Sequence, residues 1–186
     1  MQNATDWAVQ AVQCSESAPD FVLQTLISEP KRKLLTLVVI NDGSRVLLGL
    51  KKRGFGAGFY NGFGGKVEPG ETVQEAAQRE LAEEACITAE HMKEAGVLVF
   101  IFDDQLQPWE VHVFTANSYV GEPAETDEML PIWFAHAEIP YDAMWADDVT
   151  WYPYLLRQEY FRGVFAFQHT TKMVWSAMLG EVEGSQ

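Results

Sequence analysis

The segment from Gly65 to Ile87 constrains this chain more than any other stretch. It holds Gly65, Glu71, the run Arg79-Glu80-Leu81, the pair Glu83-Glu84, and Ile87. Thr72 followed by Glu75 is a capping box, and the residues up to Ala85 are rich in Ala, Glu, Gln and Leu, so a helix is expected from about Thr72. On that helix Glu80, Glu83 and Glu84 stand at i, i+3 and i+4, which gathers three carboxylates on one face. Like charges placed this way repel one another and disfavour an isolated helix. A hard divalent cation relieves the repulsion, because Mg2+ takes oxygen ligands and keeps positions for water and phosphate. A solvated glutamate face is the plainer alternative. Against it stand the glycine-rich loop leading into the helix, Glu71 ahead of it, and Arg79 placed to pair with a carboxylate.

The rest of the chain organises around that helix. Its 186 residues suit one domain with a sizeable core. Residues 1–30 show no firm hydrophobic period and read as an N-terminal arm of uncertain order. The main domain is expected over 31–182, with a short tail at 183–186. Leu34 to Ile40 and Arg45 to Leu50 are apolar runs separated by Asn41-Asp42-Gly43-Ser44, a hairpin signal. Strands are expected around 95–103 and 110–119, and again at Phe161–Phe167 and Lys172–Leu179. Pro131 and Pro140 punctuate a loop region, and a short helix should begin near Asp147-Asp148, where carboxylates suit a helix N-terminus. Trp133, Trp151 and Trp175 read as core residues.

Charge excludes several partners. The net charge is −14, and between Lys93 and Arg157 there is no Lys or Arg among twelve Asp and Glu. Such a surface repels phosphate backbones, so nucleic acid polymers are unsuitable partners, and an anionic substrate needs a metal bridge. No run of eighteen apolar residues is present, so no membrane span is expected. The N-terminal residues carry no basic start and no long apolar run, and the first thirty contain no Lys or Arg; a cytoplasmic monomer is the expectation. Cys14 and Cys86 are too few for a disulfide framework. A Walker loop fails at Tyr60 and Val67, and a Gly-x-Gly-x-x-Gly cradle fails at Phe59.

The pattern Gly-x5-Glu-x7-Arg-Glu-Leu-x-Glu-Glu resembles the signature of the Nudix hydrolase family. Strings beyond it, over about residues 33–182, are similar to the family's animal MutT-like branch, which acts on oxidised purine nucleoside triphosphates such as 8-oxo-dGTP and 2-hydroxy-dATP. They include Lys51-Lys52-Arg53-Gly54-Phe55-Gly56-Ala57-Gly58, Asn61-Gly62-Phe63-Gly64-Gly65-Lys66-Val67 and Met144-Trp145-Ala146-Asp147-Asp148. The resemblance implies an α/β fold, a Nudix α/β/α sandwich whose mixed sheet is flanked by the catalytic helix and a C-terminal helix. It implies hydrolysis of a nucleoside triphosphate to monophosphate and pyrophosphate with Mg2+, for which Mn2+ substitutes. It implies metal contacts from the Gly64 carbonyl, Glu80, Glu83, Glu84 and Glu128, with Glu71 pairing with Arg79. It also implies a base pocket of Thr36, Phe55, Asn61, Phe100, Phe102, Trp109, Trp145, Ala146, Asp147 and Asp148, and places Lys51 and the Phe63–Lys66 turn, including Gly64 and Gly65, near phosphate or sugar.

The residue chemistry agrees with that pocket. Trp145 offers a stacking face to a purine, worth about 1–3 kcal/mol in single-strand binders, and Asn61 offers a donor and an acceptor. Two adjacent carboxylates among aromatics share one proton, so one donates while the other accepts. A helix cap is the plainer reading of the same pair. The sequence departs from the family at Cys86, where the signature has Gly, and at Trp109, where the branch usually has Met. A Cys forced into a left-handed cap costs roughly 1 kcal/mol. Glu80 and Glu84 both remain eligible as general base, with Glu84 favoured. A Nudix hydrolase of a dinucleotide or cap, and a catalytically silent nucleotide-binding module, are the competing functions.

Overall fold

The computed structural model describes residues 6–15 and 17–179. In chain order the elements are α1 (Trp7–Gln13), α2 (Asp20–Ser28), β1 (Lys33–Asn41), β2 (Arg45–Lys51), β3 (Tyr60–Asn61), α3 (Val73–Ala85), β4 (Lys93–Phe102), β5 (Trp109–Ala116), β6 (Met129–Ala135), α4 (Asp148–Leu156), β7 (Phe161–Gln168) and β8 (Lys172–Leu179). The strands form one sheet in the order β3-β2-β1-β5-β4-β7-β8, with β6 paired to β2. β1 runs parallel to β5 and β4 parallel to β7, whereas β4–β5 and β7–β8 are antiparallel, so the sheet is mixed.

Strand alternation divides the core between the two faces. Val39, Leu98, Phe102 and Val113 point to the side covered by Trp151, Tyr152 and Leu155 of α4. Their neighbours Val38, Ile40 and Phe114 point to the opposite side, against Ala77, Leu81 and Ala85 of α3. On that second side Val99, Ile101, Val164 and Ala166 are covered by Ala8, Ala11 and Val12 of α1 and by Val22 and Leu26 of α2. The α/β/α sandwich is therefore as expected in kind.

Two regions differ from the sequence reading. The arm read over residues 1–30 carries α1 and α2, packed on the sheet and tied to it by Arg32, which pairs with Asp6 and, at 2.6 Å, with Glu110. A seven-residue helix has too few turns to display a period, and its burial comes from the sheet beneath it. The helix opposite α3 is α4, and β7 and β8 follow it where the sequence placed them. The region punctuated by Pro131 is strand β6, which among the described residues pairs with β2 alone, so a residue without an N–H is tolerated on this edge. The 183–186 tail lies outside the described residues.

The divergence of β1 from β2 builds the site. They pair only at Ile40↔Leu47 and Asn41↔Val46, then separate. The freed edge of β1 is taken by the glycine loop: Thr36 N–H donates to the Gly65 carbonyl at 2.9 Å and Phe63 N–H to the Val38 carbonyl at 2.9 Å. Gly64 is required here, since a Cβ on it would lie 2.0 Å from the Thr36 carbonyl oxygen. None of the helices described is long and apolar enough to cross a membrane.

Candidate active site

One cavity of about 1140 Å3 opens between α3, the glycine loop and α4. Its α3 end is a carboxylate cluster. Thr72 caps α3 through Glu75, and Glu75 bonds back to Thr72, so the helix starts where the capping box predicts. Arg79 is fixed by Glu71 at 2.7 Å and 3.1 Å and by the Lys66 carbonyl at 3.1 Å, and it reaches Glu80 at 2.9 Å and Glu83 at 3.2 Å. Glu71 thus clamps the helix without lining the cavity. Lys51 bridges Glu84 at 2.7 Å and Glu128 at 3.1 Å, and Arg53 meets Glu128 at 2.6 Å. The second oxygen of Glu84 accepts the Gly64 N–H at 2.9 Å.

Burial and partners act against each other on these acids. Burial pushes Glu80 and Glu84 above the usual carboxylate range even though Arg79 and Lys51 oppose it. Bonds from Lys51 and Arg53 hold the more exposed Glu128 below it. A metal ion fits the donor chemistry: the groups are hard oxygens from α3 and two loops. Gly65 leaves room for the Glu80 carboxylate, which would sit 2.4 Å from a Cβ at that position. Among the described residues no three acidic, His or Cys side chains converge closely enough in this conformation to hold an ion, and the three cations stand between the carboxylates.

The α4 end is an aromatic slot. Phe55 stacks on Trp145 with ring centres 5.0 Å apart and planes 14° off parallel. Trp109 packs on Phe55 at 4.9 Å and on Phe102 at 5.1 Å. Positive φ at Gly54, Gly56 and Gly58 turns the loop that carries Phe55 over it. Asp147 and Asp148 lie at its base, 3% and 2% exposed. They do not cap α4: Asp147 makes no side-chain cap bond. Instead Asp147 accepts the Trp151 Nε1–H at 2.9 Å, and Asp148 accepts the Trp145 backbone N–H at 2.9 Å. Burial pushes Asp147 up to about 6 and Asp148 well above its ordinary value, the latter helped by the charge of Asp147. Both shifts favour a proton held on the pair.

Most residues singled out in the sequence line this cavity: Thr36, Lys51, Phe55, Asn61, Gly64, Gly65, Lys66, Arg79, Glu80, Glu83, Glu84, Phe100, Phe102, Trp109, Glu128, Trp145, Asp147 and Asp148. Two do not. Phe63 is fully buried against α3, and Ala146 is exposed outside the cavity. Sequence reasoning missed Lys33, whose ammonium sits 4.2 Å over the Trp109 ring, and Phe167. It also took Trp151 for core alone; the spacing i, i+4 from Asp147 was the available signal. Cys86 occupies the left-handed cap of α3 with φ 59°, as its place in the pattern predicts.

Residues 31–155 match the NUDIX domain family model. Over 136 residues the chain is 52% identical to the oxidized purine nucleoside triphosphate hydrolase of Danio rerio, spanning 73% of this chain and 87% of that protein. It is 46% identical to the protein of the same name from Mus musculus over the same coverage. The crystal structure of a MutT protein from Bacillus halodurans superposes with a TM-score of 0.71 at 26% identity, covering 78% of this chain and 97% of that one. Enzymes of this family generally work with a divalent metal ion. The domain match, the capping box that fixes α3 and the glutamates it carries agree, and the chain belongs to the Nudix hydrolase family.

Proposed function

We propose that this protein hydrolyses oxidised purine nucleoside triphosphates, of the 8-oxo-dGTP and 2-hydroxy-dATP type, to monophosphate and pyrophosphate, acting as a monomer with Mg2+. The observation that carries the reading is the buried Asp147–Asp148 pair, set in an aromatic slot and opening into the same cavity as the Glu80–Glu84 cluster. The names of the zebrafish and mouse relatives point to the same substrates.

Each residue has a part in that reaction. Trp145 and Phe55 present ring faces to the purine, and Asn61 keeps its amide N–H groups for the base edge because its oxygen already accepts the Gly62 N–H at 2.8 Å. Protonated, one member of the aspartate pair donates to the base while the ionised member accepts. An oxidised purine differs from an unmodified one in this donor–acceptor pattern, so the pair discriminates through hydrogen bonds that the wrong base leaves unmade. The Gly64 carbonyl, Glu80, Glu83, Glu84 and Glu128 would hold the ion. When bound, magnesium screens the polyphosphate charge and makes the attacking water a stronger acid. Glu84 is buried, held by an amide and pushed by burial above its ordinary value, which suits a general base that takes the water proton. Water oxygen then adds to phosphorus, the α–β phosphoanhydride bond breaks, and pyrophosphate leaves.

A substrate panel tests this. Purified protein with Mg2+ is given 8-oxo-dGTP, 2-hydroxy-dATP, dGTP, a diadenosine polyphosphate and a capped dinucleotide, and products are identified by chromatography. Fastest release of monophosphate and pyrophosphate from the oxidised triphosphates is expected. Preference for a dinucleotide or cap, or no turnover at all, overturns the proposal.

A further inference from the structure

The backbone of Lys51 is fixed on two sides. Its N–H donates to the Phe59 carbonyl at 2.9 Å and its carbonyl accepts from Gly58 at 2.8 Å, so it closes the glycine loop. Across the sheet it pairs with Met129, beside Glu128. The side chain then crosses to α3, where the ammonium joins Glu84 to Glu128. Both oxygens of Glu84 are engaged, one by a backbone amide in a fixed loop and one by an ammonium on four rotatable bonds. Only the second partner is able to leave. Arg79 cannot play this part, because Glu71 and the Lys66 carbonyl hold it whether or not Glu80 does. Arg53 touches only the exposed Glu128.

We propose that Lys51 is a displaceable counter-ion of the metal site. Its ammonium holds Glu84 and Glu128 together until a divalent cation arrives, gives up its place on Glu84, and turns to the polyphosphate in the same cavity. This rests on the metal-dependent reading above and adds a competition to it: the ion and the ammonium need the same oxygen of Glu84. Metal affinity without nucleotide is therefore lower than the carboxylates alone would give. A nucleotide raises it by offering the released ammonium new oxygens.

The test is Mn2+ titration followed by electron paramagnetic resonance, on the full chain without nucleotide, beside thermal unfolding with and without Mn2+. Lys51→Met and Lys51→Gln keep much of the side chain without the charge. They are expected to bind Mn2+ about tenfold tighter than the wild-type protein, a difference of roughly 1.4 kcal/mol. Their metal-free melting temperature should fall, and Mn2+ should raise it by more than in the wild type. Lys51→Arg keeps the charge and should show no tightening. A lysine with only a structural role would lose stability without gaining metal affinity. Folded neutral variants that bind Mn2+ no tighter than the wild type overturn the proposal while leaving the metal-dependent reading intact. Failure of every protein to bind Mn2+ removes both.

Discussion

At the α3 end of the cavity Glu80, Glu83, Glu84 and Glu128, with Glu71 just outside it, each lie within ion-pair distance of Arg79, Lys51 or Arg53. At the α4 end Asp147 and Asp148 are more deeply buried and, among the described residues, meet no basic side chain. The first group is met by cations, whereas burial favours a proton on the second. Placing an ionised acid in an apolar site without a partner is costly enough that it takes up a proton instead. The cation-rich end is thus suited to exchanging its counter-ions for a metal ion and phosphates, and the proton-neutralised end to reading a neutral base edge. The difference is chemical specialisation within one cavity, set by which face of the sheet each helix covers.

If the two ends are separable, mutations should separate them. The largest effect is expected from Glu84→Gln, with a loss of kcat on the order of 10²–10⁴-fold on every substrate, as for a missing general base. Pyrophosphate release measures it, and binding of an oxidised purine monophosphate should be unchanged. Next come Asp147→Asn and Asp148→Asn, expected to cut kcat/KM on 8-oxo-dGTP roughly 10²-fold while Mn2+ affinity by paramagnetic resonance stays at the wild-type value. Weakened metal binding in either would break the separation.

Two smaller effects sharpen it. Both aspartates have folded-state affinities for protons raised above the ordinary value of 3.8, so the folded chain binds more protons than the unfolded chain at intermediate pH. Their contribution to stability is complete below pH 3.8 and is lost as pH rises through about 6 and beyond. Asp148→Asn should therefore raise the melting temperature by about 2–4 °C at pH 8, with no gain at pH 4. A gain equal at both pH values contradicts a proton-neutralised pair. Of similar size is Cys86→Gly, which relieves a left-handed φ of 59° and should add about 1 kcal/mol, or 2–4 °C, in a calorimetric scan. It should leave turnover unchanged, since Cys86 lies beyond the last carboxylate of α3.

The end built on α3 was more legible in the sequence than the end built on α4. A capping box, a salt-bridge spacing and a glutamate face all fall within 23 residues, so local rules reach them. The slot draws Thr36, Phe55, Phe100, Trp109 and Trp145 from separate elements, and only resemblance assembled it. Lys33 and Phe167 escaped because their place depends on register between β1 and β5 and between β4 and β7. The two-helix cap of α1 and α2 escaped for a related reason: short helices take their order from the sheet they cover. The resemblance placed the Phe63 turn near phosphate or sugar, yet the alternation of β1 beside it turns the Phe63 ring into the α3 core.

The proton on the aspartate pair is the central claim, and the pH dependence of discrimination tests it most directly. The quantity is kcat/KM for 8-oxo-dGTP divided by that for dGTP, measured from pH 5 to 9.5; Glu84 serves both substrates, so its own titration cancels. The ratio should be greatest where the pair holds one proton, falling below about pH 6 and again at alkaline pH, and Asp147→Asn should lack the acid limb. A wild-type ratio flat across that range, or an unchanged profile in Asp147→Asn, contradicts the account.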